Sequence, residues 1–157
     1  MEQTTTTGGS DGKSNLCAKS NANRSVIQTD KIMQTDKIMQ VLSSASMGIW
    51  RIIMPEGKEP RLYADTNMLR LLGVAPDSDM TPEEMYKAWG AKVCRDELPR
   101  VLRYIHDLKD GKSTELTYKW KHPTLGLRYI RCGGTGYKDE DGNNVLEGYH
   151  YDVTDIE

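Results

Sequence analysis

Residues 96–110 carry an apolar stripe that cannot be left in water. Leu98, Val101, Leu102, Ile105 and Leu108 recur at helical spacing, Asp96 is placed to cap the segment, Pro99 falls in its first turn and Gly111 stops it. A helical face of that size has to bury against a second layer, and the segments on either side of it read as strands.

Ahead of the helix, Met47–Met54 is β-branched and aromatic, and a Gly- and Pro-containing turn at 55–60 leads to a returning strand at Arg61–Ala64. Asp65 is positioned to cap a short helix that ends at Leu71-Leu72 before Gly73. Thr81-Pro82-Glu83-Glu84 has the form of a capping box with Pro at the first helical position, and it opens a helix toward Trp89. Behind the long helix, strands are expected near 115–122, 127–136 and 145–153, joined through Pro123–Gly126 and an Asp139-to-Asn144 turn. The order is strand, strand, helices, then three strands. It predicts an α+β domain over 46–157: a five-stranded antiparallel sheet with the helices inserted between strands 2 and 3, one face covered and room for a pocket between the layers.

The first 45 residues read differently. Residues 1–25 are mostly Ser, Thr, Gly, Asn and Lys with little to bury, so a disordered tail is expected. GGSDGKS within it lacks the Gly that a phosphate loop needs at position 7, where Thr7 stands. QTDKIM then occurs twice, at 28–33 and 34–39, within a stretch of helical propensity at 26–45 that would precede the sheet. Six residues turn a helix by about 240°, so Ile32/Met33 and Ile38/Met39 do not share a stripe, and a short dimerising helix is expected rather than a long coiled coil.

Composition removes several classes. Twenty-one basic residues against 23 acidic ones give a net charge of −2, and no basic run is interleaved with aromatics, which argues against a nucleic-acid partner. Cys17, Cys94 and Cys132 are widely spaced and outside any CxxC pattern, so neither a disulfide framework nor a zinc site is indicated and a cytoplasmic setting is expected. No signal-peptide core and no membrane-length apolar run is present in the sequence.

The order of elements, with GIWR at 48–51, LRLLG at 69–73, RDELPRV at 95–101, LRYIRCGG at 127–134, DEDGN at 139–143 and EGYHYDVTD at 147–155, resembles bacterial PAS domains. The similarity covers roughly 40–156 and is nearest to the variant found upstream of histidine kinases and diguanylate cyclases. It implies a sensory module that holds a small ligand or stays closed. It also implies that Asp152 and Thr154 relay a signal to a C-terminal effector, with this chain either a piece of a larger receptor or a single-domain protein.

Candidate site residues follow from pattern and resemblance together. Leu102, Ile105 and His106 on the long helix, Tyr118 and Trp120 on the first strand after it, Cys132 on the next and His150 on the last are expected to line the pocket, though Tyr118, Trp120 and His150 could equally be ordinary core. The cofactor is left unknown. Cys94-Arg95 matches only two residues of the flavin-binding motif of photosensory relatives, and the position of the family's haem-ligating His is held here by Arg100. The acidic 139–143 turn has Gly142 misplaced for a calcium loop, so no metal is expected. No Ser-His-Asp, Cys-His or metal-ligand spacing points to catalysis, and a non-enzymatic chain is expected. The alternative to a ligand-binding sensor is a ligand-free interaction and dimerisation domain with a filled core.

Overall fold

A computed structural model describes residues 36–156. The expected tail at 1–25, and Ile32 and Met33 of the expected dimer helix, lie outside the described residues. Residues 36–44 are helical (α1) and include Ile38 and Met39. The chain divides into two units at the Val41–Leu42 boundary, and the second carries the whole sheet.

That unit runs β1 (Gly48–Met54), β2 (Arg61–Ala64), α2 (Thr66–Leu72), α3 (Pro82–Ala91), α4 (Leu98–Lys109), β3 (Thr114–His122), β4 (Gly126–Lys138) and β5 (Asn144–Asp152). The five strands form one antiparallel sheet in the order β2-β1-β5-β4-β3. The last strand in sequence is therefore the central one, flanked by β1 and β4.

Local chemistry fixes the helices. Asp65 Oδ1 accepts from Met68 N at 2.8 Å and caps α2, and the same oxygen accepts from Ile49 N at 3.0 Å, which ties the helix start to β1. Gly73 ends α2 in the left-handed conformation, φ 67°. At α3, Thr81 Oγ1 accepts from Glu84 N while Glu84 Oε2 accepts from Thr81 N, a complete capping box. The expected Asp96 cap on α4 does not form. Glu97 occupies the cap position without a side-chain cap bond, and Asp96 pairs with Lys119 on β3 instead, because a full opposite charge lies within its reach.

The inner face of the sheet meets α2, α3 and α4. Trp50 and Ile52 of β1, Tyr118 and Trp120 of β3, Ile130 and Cys132 of β4 and Leu146 of β5 pack with Met68, Trp89, Val101, Tyr104, Ile105 and Leu108. Two close approaches need the absence of a side chain. A Cβ on Gly136 would stand 2.0 Å from the Leu108 carbonyl oxygen, so only glycine lets the end of α4 lie against β4. A Cβ on Gly148 would stand 2.1 Å from the Gly133 carbonyl oxygen and 2.6 Å from Trp50 Cζ2, so the Trp50 indole lies directly on the β5 backbone.

Candidate functional site

The helices and sheet enclose a cavity of about 10 Å³, walled by Trp50, Ile52 and Leu62 from β1 and β2, Met68 and Trp89 from α2 and α3, and Val101, Tyr104 and Ile105 from α4. Leu116, Tyr118, Cys132 and His150 complete it from β3, β4 and β5. None of these side chains carries a formal charge at neutral pH, and the whole polar content of the wall is two indoles, two phenols, one thiol and one imidazole.

Those polar groups are partly linked. Trp89 Nε1–H donates to Tyr118 Oη at 2.8 Å, and Tyr118 Oη lies 2.9 Å from His150 Nε2. Cys132 and His150 are directly opposed across the β4–β5 ladder. His150 packs edge-on against both Trp50 and Tyr118, with ring centroids 5.7 and 6.0 Å away. Three buried polar atoms on the wall, Trp50 Nε1, Tyr104 Oη and His150 Nδ1, have no hydrogen-bond partner among the described residues. Tyr104 lies beside the Cys132 thiol, a weak bonding group.

Burial sets the protonation of the site. It lowers the His150 pKa to about 3 and raises that of Cys132 to about 12. The Tyr118 phenol is pushed well above its ordinary range by burial, and the Tyr104 phenol by burial and then by the neighbouring Cys132. All four are neutral near pH 7. A thiol so held is a poor nucleophile, and an imidazole and phenol so far from neutrality are poor proton carriers. The arrangement suits binding rather than proton transfer.

Of the residues expected to line a pocket, Ile105, Tyr118, Cys132 and His150 meet at this cavity. Trp120 is buried beside it rather than in it, with Nε1–H donating to the Trp89 carbonyl at 3.0 Å. Leu102 and His106 are corrected. Leu102 is 65% exposed, and the His106 side chain is in solvent with Nδ1 3.3 Å from an Asp110 oxygen. The buried face of α4 is Val101, Tyr104, Ile105 and Leu108, and at about 100° per residue Leu102 and His106 fall on its far side. Tyr104 and Trp50 were missed as site residues. Tyr104 sits three residues after Val101 and four before Leu108, a spacing that marks the same stripe. Cys94 is buried in the α3–α4 connection and does not line the cavity.

The C-terminal end of β5 forms a second polar cluster. Arg128 Nε donates to Asp152 Oδ2 at 2.7 Å, and the Thr154 amide donates to Asp152 Oδ1 at 2.9 Å, as does the Thr154 hydroxyl. Tyr129 N in turn donates to Thr154 Oγ1 at 2.9 Å, while the Val153 amide donates to the Tyr129 carbonyl at 2.9 Å and the Val153 side chain is buried. Asp152 thus fastens the chain after the sheet to β4.

Fold and site define the class: a single-sheet α+β module with a closed, uncharged core and a tethered exit strand. A family model described as PAS fold matches residues 61–150, over half of the chain, and the chain belongs to that family. Among solved structures it is similar to a sensory box histidine kinase/response regulator from Burkholderia thailandensis, with 19% identity over 76% of this chain and 86% of that one and a TM-score of 0.60. It is also similar to the N-terminal domain of a diguanylate cyclase with PAS/PAC sensor from Marinobacter aquaeolei, with 18% identity, 70% and 97% coverage and a TM-score of 0.53. The PAS domain of the fruit-fly ELK potassium channel aligns at 11% identity, 76% and 97% coverage and a TM-score of 0.52. No curated protein matches the sequence. No helix among the described residues is long and apolar enough to cross a membrane.

Proposed function

We propose that this chain is a non-catalytic sensory module whose core takes a small ligand and whose Asp152–Val153–Thr154 end passes the resulting shift to an effector, a kinase or cyclic-dinucleotide enzyme, in a larger protein. The observation that carries the reading is the course of β5. His150, with an unpartnered ring nitrogen at the cavity, lies two residues from Asp152 on the same face of the central strand. At about 3.3 Å per residue the two are within about 7 Å along the strand, so a change of partner at His150 acts directly on the residue that holds the exit. The similar histidine-kinase and diguanylate-cyclase structures support the choice of effector class.

One observation favours a second reading, a ligand-free interaction domain. The core void is only about 10 Å³, whereas the outer sheet face presents Ile49, Ile53 and Tyr63 around a groove of about 540 Å³. Native mass spectrometry of the purified chain, beside its denatured mass and visible spectrum, separates the two. A retained small molecule is the expected result. An empty, colourless chain whose amide spectrum is indifferent to small apolar compounds would overturn the sensor reading in favour of the interaction domain.

A further inference from the structure

The hydrogen-bond chain through the core fixes what kind of ligand it can recognise. Trp89 Nε1–H has no lone pair to offer, so Tyr118 Oη must accept from it. If the Tyr118 hydroxyl proton then points to His150 Nε2, one ring atom remains without a partner, the protonated Nδ1. If His150 instead donated from Nε2, both the Tyr118 proton and the Nδ1 lone pair would be stranded in a dry core. The first arrangement leaves fewer buried groups unsatisfied, and it assigns the proton to Nδ1.

The wall therefore exposes two N–H donors, Trp50 Nε1–H and His150 Nδ1–H, together with the Tyr104 hydroxyl, on residues that are 2%, 6% and 6% exposed. No carboxylate, amide, ammonium or guanidinium group lines the cavity to receive a donor or balance a charge. A charged or phosphorylated ligand would lose its hydration without compensation.

We infer that the core selects a compact, uncharged, mostly apolar molecule presenting one hydrogen-bond acceptor oxygen to Trp50 Nε1–H, His150 Nδ1–H and the Tyr104 hydroxyl, an inference that rests on the ligand-binding reading above. A void of about 10 Å³ admits a single oxygen-sized group, so the apolar body enters by displacing Met68, which is 1% exposed and has an unbranched chain able to change rotamer.

Acetophenone and ethylbenzene test this, since they differ only in a carbonyl in place of a methylene. In a titration of the ¹⁵N-labelled full chain, acetophenone is expected to shift the Trp50 indole N–H resonance and to bind about tenfold more tightly than ethylbenzene, the factor appropriate to hydrogen bonds made by otherwise unsatisfied buried donors. Trp50→Phe is expected to reduce that preference severalfold. Met68→Ala removes the side chain beyond Cβ and so eases entry without opening the whole volume of the probe, and the same preference is expected there; binding of neither probe to either protein overturns the inference. Equal affinities for the two probes in both proteins overturn the donor assignment and leave the ligand reading standing. No binding to the wild-type chain with the preference intact in Met68→Ala upholds the donor assignment and overturns the ligand reading. A resident water that still contacts the Trp50 indole N–H at saturating acetophenone overturns the inference as well.

Discussion

Burying His150 as a neutral ring ties the stability of the domain to pH. In the unfolded chain its imidazole titrates near 6.5, whereas in the folded core desolvation lowers the pKa to about 3. The folded state thus resists a proton that the unfolded state accepts, so the stability contributed by neutral burial is complete above pH 6.5 and is lost as pH falls toward 3. Between about pH 6.5 and 4.5 the slope rises from about half a proton to nearly a full one, so the unfolding equilibrium should shift roughly fiftyfold, about 2 kcal/mol over the interval. Urea unfolding followed by the fluorescence of Trp50, Trp89 and Trp120, all buried, measures this at several pH values. The control is His150→Leu, which lacks the titrating ring but keeps His106, His122 and every carboxylate. It will be less stable at pH 7.5, because the Tyr118 hydroxyl loses its acceptor, but its stability should fall less steeply by up to one proton between about pH 6.5 and 4.5. Identical slopes in the two proteins would refute the argument and mean that His150 is charged or hydrated in the folded state.

Other substitutions test the packing and the exit. Ile105→Trp adds bulk to a void of about 10 Å³ and should cost about 1–3 kcal/mol in chemical denaturation; an unchanged midpoint would show that the core opens readily. Gly148→Ala drives a methyl into the Gly133 carbonyl and the Trp50 ring and should destabilise by about 1–3 kcal/mol, whereas Gly90→Ala, in α3 with open space around it, should stabilise by up to about 1 kcal/mol. Thermal melts give both signs. Arg128→Ala removes the cation from Asp152 and should raise amide exchange at Val153 and Thr154 while sparing the centre of β5; uniform exchange along the strand would contradict a localised tether.

How much the sequence disclosed depends on the range of the interaction concerned. The Thr81 capping box, the Asp65 cap and the left-handed Gly73 are settled within a few residues, and each was legible. Asp96 looked like a cap by the same local rule, yet Lys119, distant in sequence, claimed its carboxylate. The stripe on α4 was visible, but its centre was not. The spacing of Tyr104 from Val101 and Leu108 puts it on the stripe, but Leu102 is the more apolar of the two, so weighing apolarity over spacing shifts the stripe toward Leu102. The Asp139-to-Asn144 turn fixes the β4–β5 register and with it the opposition of His150 to Cys132, while the seating of Trp50 on Gly148 depends on β5 entering beside β1, a long-range pairing that no local pattern encodes. The unpartnered nitrogens of Trp50 and His150 had no local signal at all, since being unpartnered is a property of the assembled core.

On the proposed reading, those unpartnered groups connect stability to signalling. Each buried donor without an acceptor costs the folded state about 1–3 kcal/mol, and an apolar ring of similar shape at Trp50 or His150 would fill the same space without that penalty. A ligand can shift an equilibrium only by the difference in its affinity for the two states. Relief of unsatisfied donors supplies such a difference, because it is available only where the acceptor reaches them. His150 would lie at the point of relief and Asp152 lies at the exit of the same central strand, so free energy gained at the ring by the proposed ligand would bear on a strand whose last residues are held by Arg128 and Thr154. On the proposed reading the tether and the donors act as one two-state element, so severing the tether should change ligand affinity by the same factor by which ligand shifts the tether, and should abolish the response beyond Val153.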